Sequence, residues 1–187
     1  MSKTKCGWCL GNELYEKYHD EEWGVTTHDD KVLFEFVVLE SAQAGLSWIT
    51  VLKKREAYRK AFANFDVKKV AKFDDAKVEE LMLNEGIIRN RLKIKSTITN
   101  AQIFITIQKE FGSFNDYLYS FMPNKTPIVN HFKSLSELPA RNEISDAISK
   151  DLKKRGFKFF GTTICYAHMQ ATGMVNDHLM SCFKRKK

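Results

Sequence analysis

Leu33-Phe34-Glu35-Phe36-Val37-Val38-Leu39-Glu40-Ser41-Ala42-Gln43-Ala44-Gly45-Leu46-Ser47-Trp48 is the stretch on which the fold turns. Leu33, Phe36, Val37, Glu40 and Ala44 recur at helical spacing and so share one helix face. Asp29 or Asp30 supplies a cap ahead of them. Gly45 ends this helix and Ser47 opens the next, leaving Leu46 as an apolar tip on an exposed corner. Trp48 lies just inside the second helix.

The helical period continues outward in both directions. Asn12 caps a short helix carrying Leu14, Tyr15 and Tyr18. A helix from about Ser47 to Phe62 points Val51, Leu52, Tyr58 and Phe62 inward. Asp66 opens a short turn of helix, and Asp74 or Asp75 opens another that ends near Asn84. A long helix runs from about Asn90 to Glu110 and stops at Phe111-Gly112. Ser113 caps Phe114–Phe121, and Ser145 caps Asp146–Arg155, with Gly156 as the stop. Pro123, Pro127 and Pro139 all fall in Met122–Asn142, the longest expected loop. The best strand-like run is Phe157–Phe160. The tetrapeptide Leu-Lys-Lys-Arg occurs at Leu52–Arg55 and again at Leu152–Arg155, read as coincidence between two basic helices. These signals predict an all-α protein, one helical domain over residues 1–187.

The composition fits that class: 43% of the 187 residues are apolar, enough for a sizeable core. The net charge is +7, four of it in the tail Lys184-Arg185-Lys186-Lys187. It is compatible with a phosphate-facing surface or simply with a solvated one. No secretory signal and no membrane-length apolar run are present, so a cytoplasmic protein with no membrane partner is expected. There, cysteines serve as metal ligands, catalytic groups or small buried residues.

Three groups of residues carry chemistry. Glu40 is a carboxylate among apolar neighbours. It is either bonded to a structural donor or faces a ligand pocket, because an unpaired buried charge is costly. Trp8, Trp23 and Trp48, with Tyr15 and Tyr18, form an aromatic set suited either to a core or to a flat, positively charged ligand. Cys6 and His19 near the start, with His178 and Cys182 four apart near the end, make a possible closed tetrahedral zinc set. Such a set is structural and would clip the chain ends together. Cys6-Gly7-Trp8-Cys9 also reads as a CxxC, which leaves a redox pair or a different zinc pair open. Cys165 and His168 read as helix packing.

Taken together, the chain resembles the 3-methyladenine DNA glycosylase I (Tag) family. The resemblance is carried by Lys5–Trp8, Tyr18–Gly24, Leu39–Glu56, Gly86–Arg91, Leu152–Tyr166 and Val175–Cys182. It implies a helix-hairpin-helix glycosylase fold with the hairpin at about 81–94, turning at Gly86-Ile87-Ile88. It maps a zinc clip onto Cys6, His19, His178 and Cys182, leaving Cys9 without a role. It places Glu40, Tyr18 and Trp48 in a base pocket, with Trp8, Trp23 and Tyr15 around it. Gln43, Gly45 and Leu46 would meet the gap left by a flipped nucleotide, and Gly86, Ile88 and Arg89 the phosphates. The implied activity is hydrolytic release of free 3-methyladenine from alkylated double-stranded DNA by a monomer. No lysine nucleophile is implied, so no lyase step. The rivals are a non-enzymatic, zinc-stabilised helical DNA-binding module and a CxxC redox protein.

Overall fold

The computed structural model describes residues 4–185. Helix α1 spans Glu13–Glu21, α2 Asp30–Gln43, α3 Trp48–Leu52, α4 Arg55–Ala61 and α5 Val67–Val70. They are followed by α6 Asp75–Leu83, α7 Arg91–Phe111, α8 Phe114–Tyr119, α9 Glu143–Arg155 and α10 Thr162–Ala171. The all-α expectation holds.

α2 is the central helix. Every residue from Leu33 to Ala42 is buried, including Glu35, Glu40 and Ser41. One apolar face was expected, but α3, α7, α8 and α10 pack around α2, and a helix enclosed on all sides needs apolar residues all round. Aromatic contacts bind the layers together: Phe34 meets Phe104 at 5.3 Å, Phe104 stacks on Phe114 at 4.0 Å, and Phe114 on Phe157 at 6.2 Å. One hydrophobic core runs from Cys6 to Cys182.

The expected caps are largely in place. Asn12, Asp29, Asp66, Asp74, Asn90 and Ser113 each accept a backbone N–H in the first turn of their helix. Three expectations fail. The helix from Ser47 to Phe62 is broken at Lys53-Lys54. Arg55, the first residue of α4, turns inward there and donates to Glu35 at 2.7 Å and to Glu22 at 2.7 Å. The buried pair with Glu35 and the partly exposed pair with Glu22 set the break, and no local propensity marks it. α9 begins earlier than expected, with Asn142 as its cap and Ser145 completing a capping box. Phe157–Phe160 is not a strand. Phe159 has φ of 51°, and the Asn100 amide accepts from the Lys158 N–H at 2.8 Å and donates to its carbonyl at 2.9 Å. A side chain thus satisfies backbone groups that a sheet would otherwise have paired.

The strand structure lies elsewhere. β1 (Ile128–Val129) and β2 (Val175–Asn176) pair in parallel, Ile128 opposite Val175. This pair pins the proline-containing loop against the segment after α10. The first and last described segments meet, with the Phe183 N–H bonded to the Thr4 carbonyl at 2.9 Å. Of the basic tail, Lys186 and Lys187 lie outside the described residues.

Candidate active site and metal cluster

Beside the buried end of α2 lies a cavity of about 210 Å³. For scale, an apolar cavity of about 150 Å³ accepts benzene. α1 contributes Tyr15 and Tyr18, α2 contributes Glu40 and Gln43, α3 contributes Trp48, and α10 contributes Ala167 and Gln170. Trp8, Trp23 and Leu138 complete the wall. The structure therefore brings together Glu40, Tyr18, Trp48, Trp8, Trp23 and Tyr15, which are dispersed over the first quarter of the chain. The rings meet at steep angles. Tyr18 and Trp48 are 5.4 Å apart at 51°, and Trp8 and Trp23 are 5.0 Å apart at 71°.

Glu40 is 3% exposed. Its Oε2 has no hydrogen-bond partner, and neither has Nε1 of Trp48. Burial raises the Glu40 carboxyl from 4.5 to about 8. Burial also raises the Tyr18 hydroxyl, with the Glu40 charge adding to it. Nearly all buried polar atoms in proteins are paired, so an acceptor and a donor left open in one cavity point to a ligand that supplies their partners. Ring faces and a carboxylate suit a planar, cationic, hydrogen-bonding ligand.

Next to this cavity Cys6, His19, His178 and Cys182, all buried, bring their ligand atoms within 4.8 Å of one another. Sγ of Cys182 is 3.4 Å from Nε2 of His19 and 3.5 Å from Nδ1 of His178, and Sγ of Cys6 is 3.7 Å from the same Nδ1. Tetrahedral zinc, with bonds of about 2.3 Å to sulfur and 2.0 Å to nitrogen, needs donors at roughly these spacings. The far ring nitrogens are held too. Nδ1 of His19 pairs with Asp20 at 2.7 Å, and Nε2 of His178 with the Trp23 carbonyl at 2.9 Å. Such partners fix the ring orientation of metal-binding histidines. The four residues are thus able to hold a metal, and they join the N-terminal and C-terminal segments.

The corner after α2 carries the expected exposed tip. Gly45 adopts φ of 81°, and Leu46 is 41% exposed. Nζ of Lys93, on α7, donates to the carbonyls of Ala42 and Ala44 at 2.8 and 2.7 Å, tying the α6–α7 hairpin to this corner. Within the hairpin the Gly86 N–H is already donated to Asn84 Oδ1 at 2.8 Å, and the Ile88 N–H to the Tyr58 hydroxyl at 3.1 Å. The Arg89 side chain is half exposed, 3.7 Å from Glu85.

The Methyladenine glycosylase family model matches residues 8–185. The chain belongs to the methyladenine glycosylase family. It is 52% identical to DNA-3-methyladenine glycosylase 1 of Escherichia coli (strain K12) over 95% of each chain. It is 48% identical to DNA-3-methyladenine glycosylase of Haemophilus influenzae over 96% of each. A solved 3-methyladenine DNA glycosylase I from Staphylococcus aureus, described for its recognition of 3-methyladenine, superposes with a TM-score of 0.94 at 34% identity, covering 100% of this chain and 99% of that one.

In this methyladenine glycosylase, sequence reasoning missed Leu138, Ala167 and Gln170 as cavity residues. Leu138 sits in the proline-containing loop, which no periodicity places, whereas Ala167 and Gln170 share a helix face at i, i+3. Nothing in the setting of the CxxC favours a redox pair, whose thiol pKa is lowered rather than raised. The motif lies in a short 3-10 turn, all four cysteines are free thiols, and burial pushes the Cys9 thiol up to about 11. Cys9 instead donates to the Cys6 carbonyl at 3.1 Å. Cys165 and His168 are buried in α10 as expected, and His168 contacts the Leu33 carbonyl at 3.1 Å. Among the described residues no helix is long and apolar enough to cross a membrane.

Proposed function

We propose that the Glu40 cavity is the site at which this family member binds and excises 3-methyladenine. The chain is a monofunctional DNA-3-methyladenine glycosylase of base-excision repair. The observation that carries the site reading is the unpartnered Glu40 oxygen inside a ring-walled cavity. Methylation makes the base cationic in the nucleotide and weakens its glycosidic bond. The flipped base stacks on Trp48, and Glu40 with Tyr18 bonds its edge. Trp8, Trp23 and Tyr15 close the remaining sides and exclude water. The leaving group already carries positive charge, so it needs no protonation to depart. A cationic base favours the ionised form of Glu40, whose charge then holds that base over its uncharged counterparts, and water completes the hydrolysis at the sugar, leaving an abasic site.

Leu46 and Gln43 fill the vacated place in the duplex, with Gly45 allowing the tight corner. Arg89 meets the phosphates. With the Gly86 and Ile88 amides already bonded internally, charge rather than those two N–H groups carries the contact. The duplex is bound by a monomer. Cys6, His19, His178 and Cys182 hold a structural zinc. Bound there, zinc supplies folding energy and leaves no open position for chemistry. A binding module without activity would share the charge and the metal cluster, but gives no reason for an open carboxylate and an open indole N–H in one cavity.

The test is incubation with N-methylated DNA and chromatography of the supernatant. Free 3-methyladenine is expected; its absence would overturn the reading.

A further inference from the structure

Gln170 is the polar cavity residue that the reaction above leaves without a task. It lies near the C-terminal end of α10, one turn beyond Ala167, and its side chain reaches the cavity wall. Its Nε2 donates to Oδ2 of Asp177 at 2.8 Å. Asp177 is fully buried. The same Oδ2 accepts from the Tyr166 hydroxyl at 2.8 Å, and Oδ1 accepts from Nδ2 of Asn130 at 2.7 Å. Three donors, two from α10 and one from the residue after β1, therefore converge on one carboxylate. Asn130 follows β1 and Asp177 follows β2, so the parallel strand pair sets the register of the cluster.

This arrangement fixes which way the Gln170 amide points. The Asp177 oxygens accept from all three partners, so the amide nitrogen faces them, and a flip would set carbonyl oxygen against carboxylate oxygen. With its nitrogen turned to Asp177, the amide points its carbonyl oxygen the other way, and that oxygen is the acceptor the amide offers to a ligand in the cavity. We infer that Gln170 is a specificity-determining residue, whose carbonyl oxygen accepts a hydrogen bond from the exocyclic amine of the bound base. Asp177, held by Tyr166 and Asn130, is the positioning residue that keeps this acceptor turned toward the base.

The consequence is a preference set by hydrogen-bond polarity as well as by charge. A base with an amine at this edge satisfies the oxygen. A base with a carbonyl there sets two acceptors face to face, and a site built to bond one pattern rejects the other strongly. The inference rests on the cavity being the base site, and the test separates the two.

Tryptophan fluorescence titration of the zinc-loaded protein with free 3-methyladenine and with 3-methylhypoxanthine reads the preference directly, since three tryptophans line the cavity. The wild type is expected to favour 3-methyladenine. Gln170→Met keeps the length and removes the acceptor, and should lower that preference by about tenfold or more. Asp177→Asn releases the amide to turn over and should lower it in the same direction, which serves if Gln170→Met does not fold. A preference unchanged in a folded variant, or both bases weakened equally, would overturn the role of Gln170. Failure of the wild type to bind 3-methyladenine at all would overturn the base-site reading, and this inference with it.

Discussion

Replacing Glu40 with Gln isolates the cost of keeping an unpaired carboxyl in the ligand-free cavity. Burial raises this carboxyl from 4.5 to about 8 in the folded protein, while the unfolded chain keeps the lower value. The folded state therefore holds the proton more tightly than the unfolded state. Stability is fully present below about pH 4.5, falls as pH rises, and levels off just above pH 8. The span between the two values, at about 1.4 kcal/mol per tenfold, sets a loss on the order of 5 kcal/mol. Gln does not ionise, so Glu40→Gln should match the wild type in acid and exceed it increasingly toward alkaline pH. Urea unfolding of ligand-free protein across that window measures the difference. A constant offset between the two proteins would refute the reasoning, because Glu40 would then titrate alike in the folded and unfolded states. Base release from methylated DNA should move the opposite way and fall sharply in the same variant. The stabilised protein would be the less active one, as expected where a binding site is held in a costly state.

Further outcomes follow from the other buried groups. Cys182→Ser should lower bound zinc from about one per chain to near none, measured by elemental analysis, and should depress the melting temperature. Arg55→Ala leaves Glu35 buried without its main partner and should cost about 3–5 kcal/mol in chemical unfolding. In Gly86→Ala the new methyl would lie 2.7 Å from the Ala57 Cβ. It should cost about 1–3 kcal/mol and weaken DNA binding in a gel-shift titration, because the hairpin must move. An unchanged stability in either of the last two would contradict the packing described.

The sequence by itself determined the helical class and most of the caps. Those features are local: a cap needs one side chain and the next turn of backbone, and helical spacing fixes which residues share a face. His178 and Cys182 stand four apart in a coil and turn after β2 rather than on the helix face their spacing suggests, and only the fold set them against each other and against Cys6 and His19. The same holds for Glu40, whose position among apolar neighbours was legible, while its isolation from every donor was not. That isolation depends on what α1, α3, α10 and the loop carrying Leu138 leave around it. Tertiary contacts also overruled local readings where a polar group needed a distant partner. The Arg55 ion pairs broke the predicted helix, Asn100 replaced a sheet for Lys158, and Asp177 oriented Gln170. Buried polar groups must be satisfied from wherever the folded chain can supply a partner, so their pairings are long-range and pattern reading along the chain does not reach them.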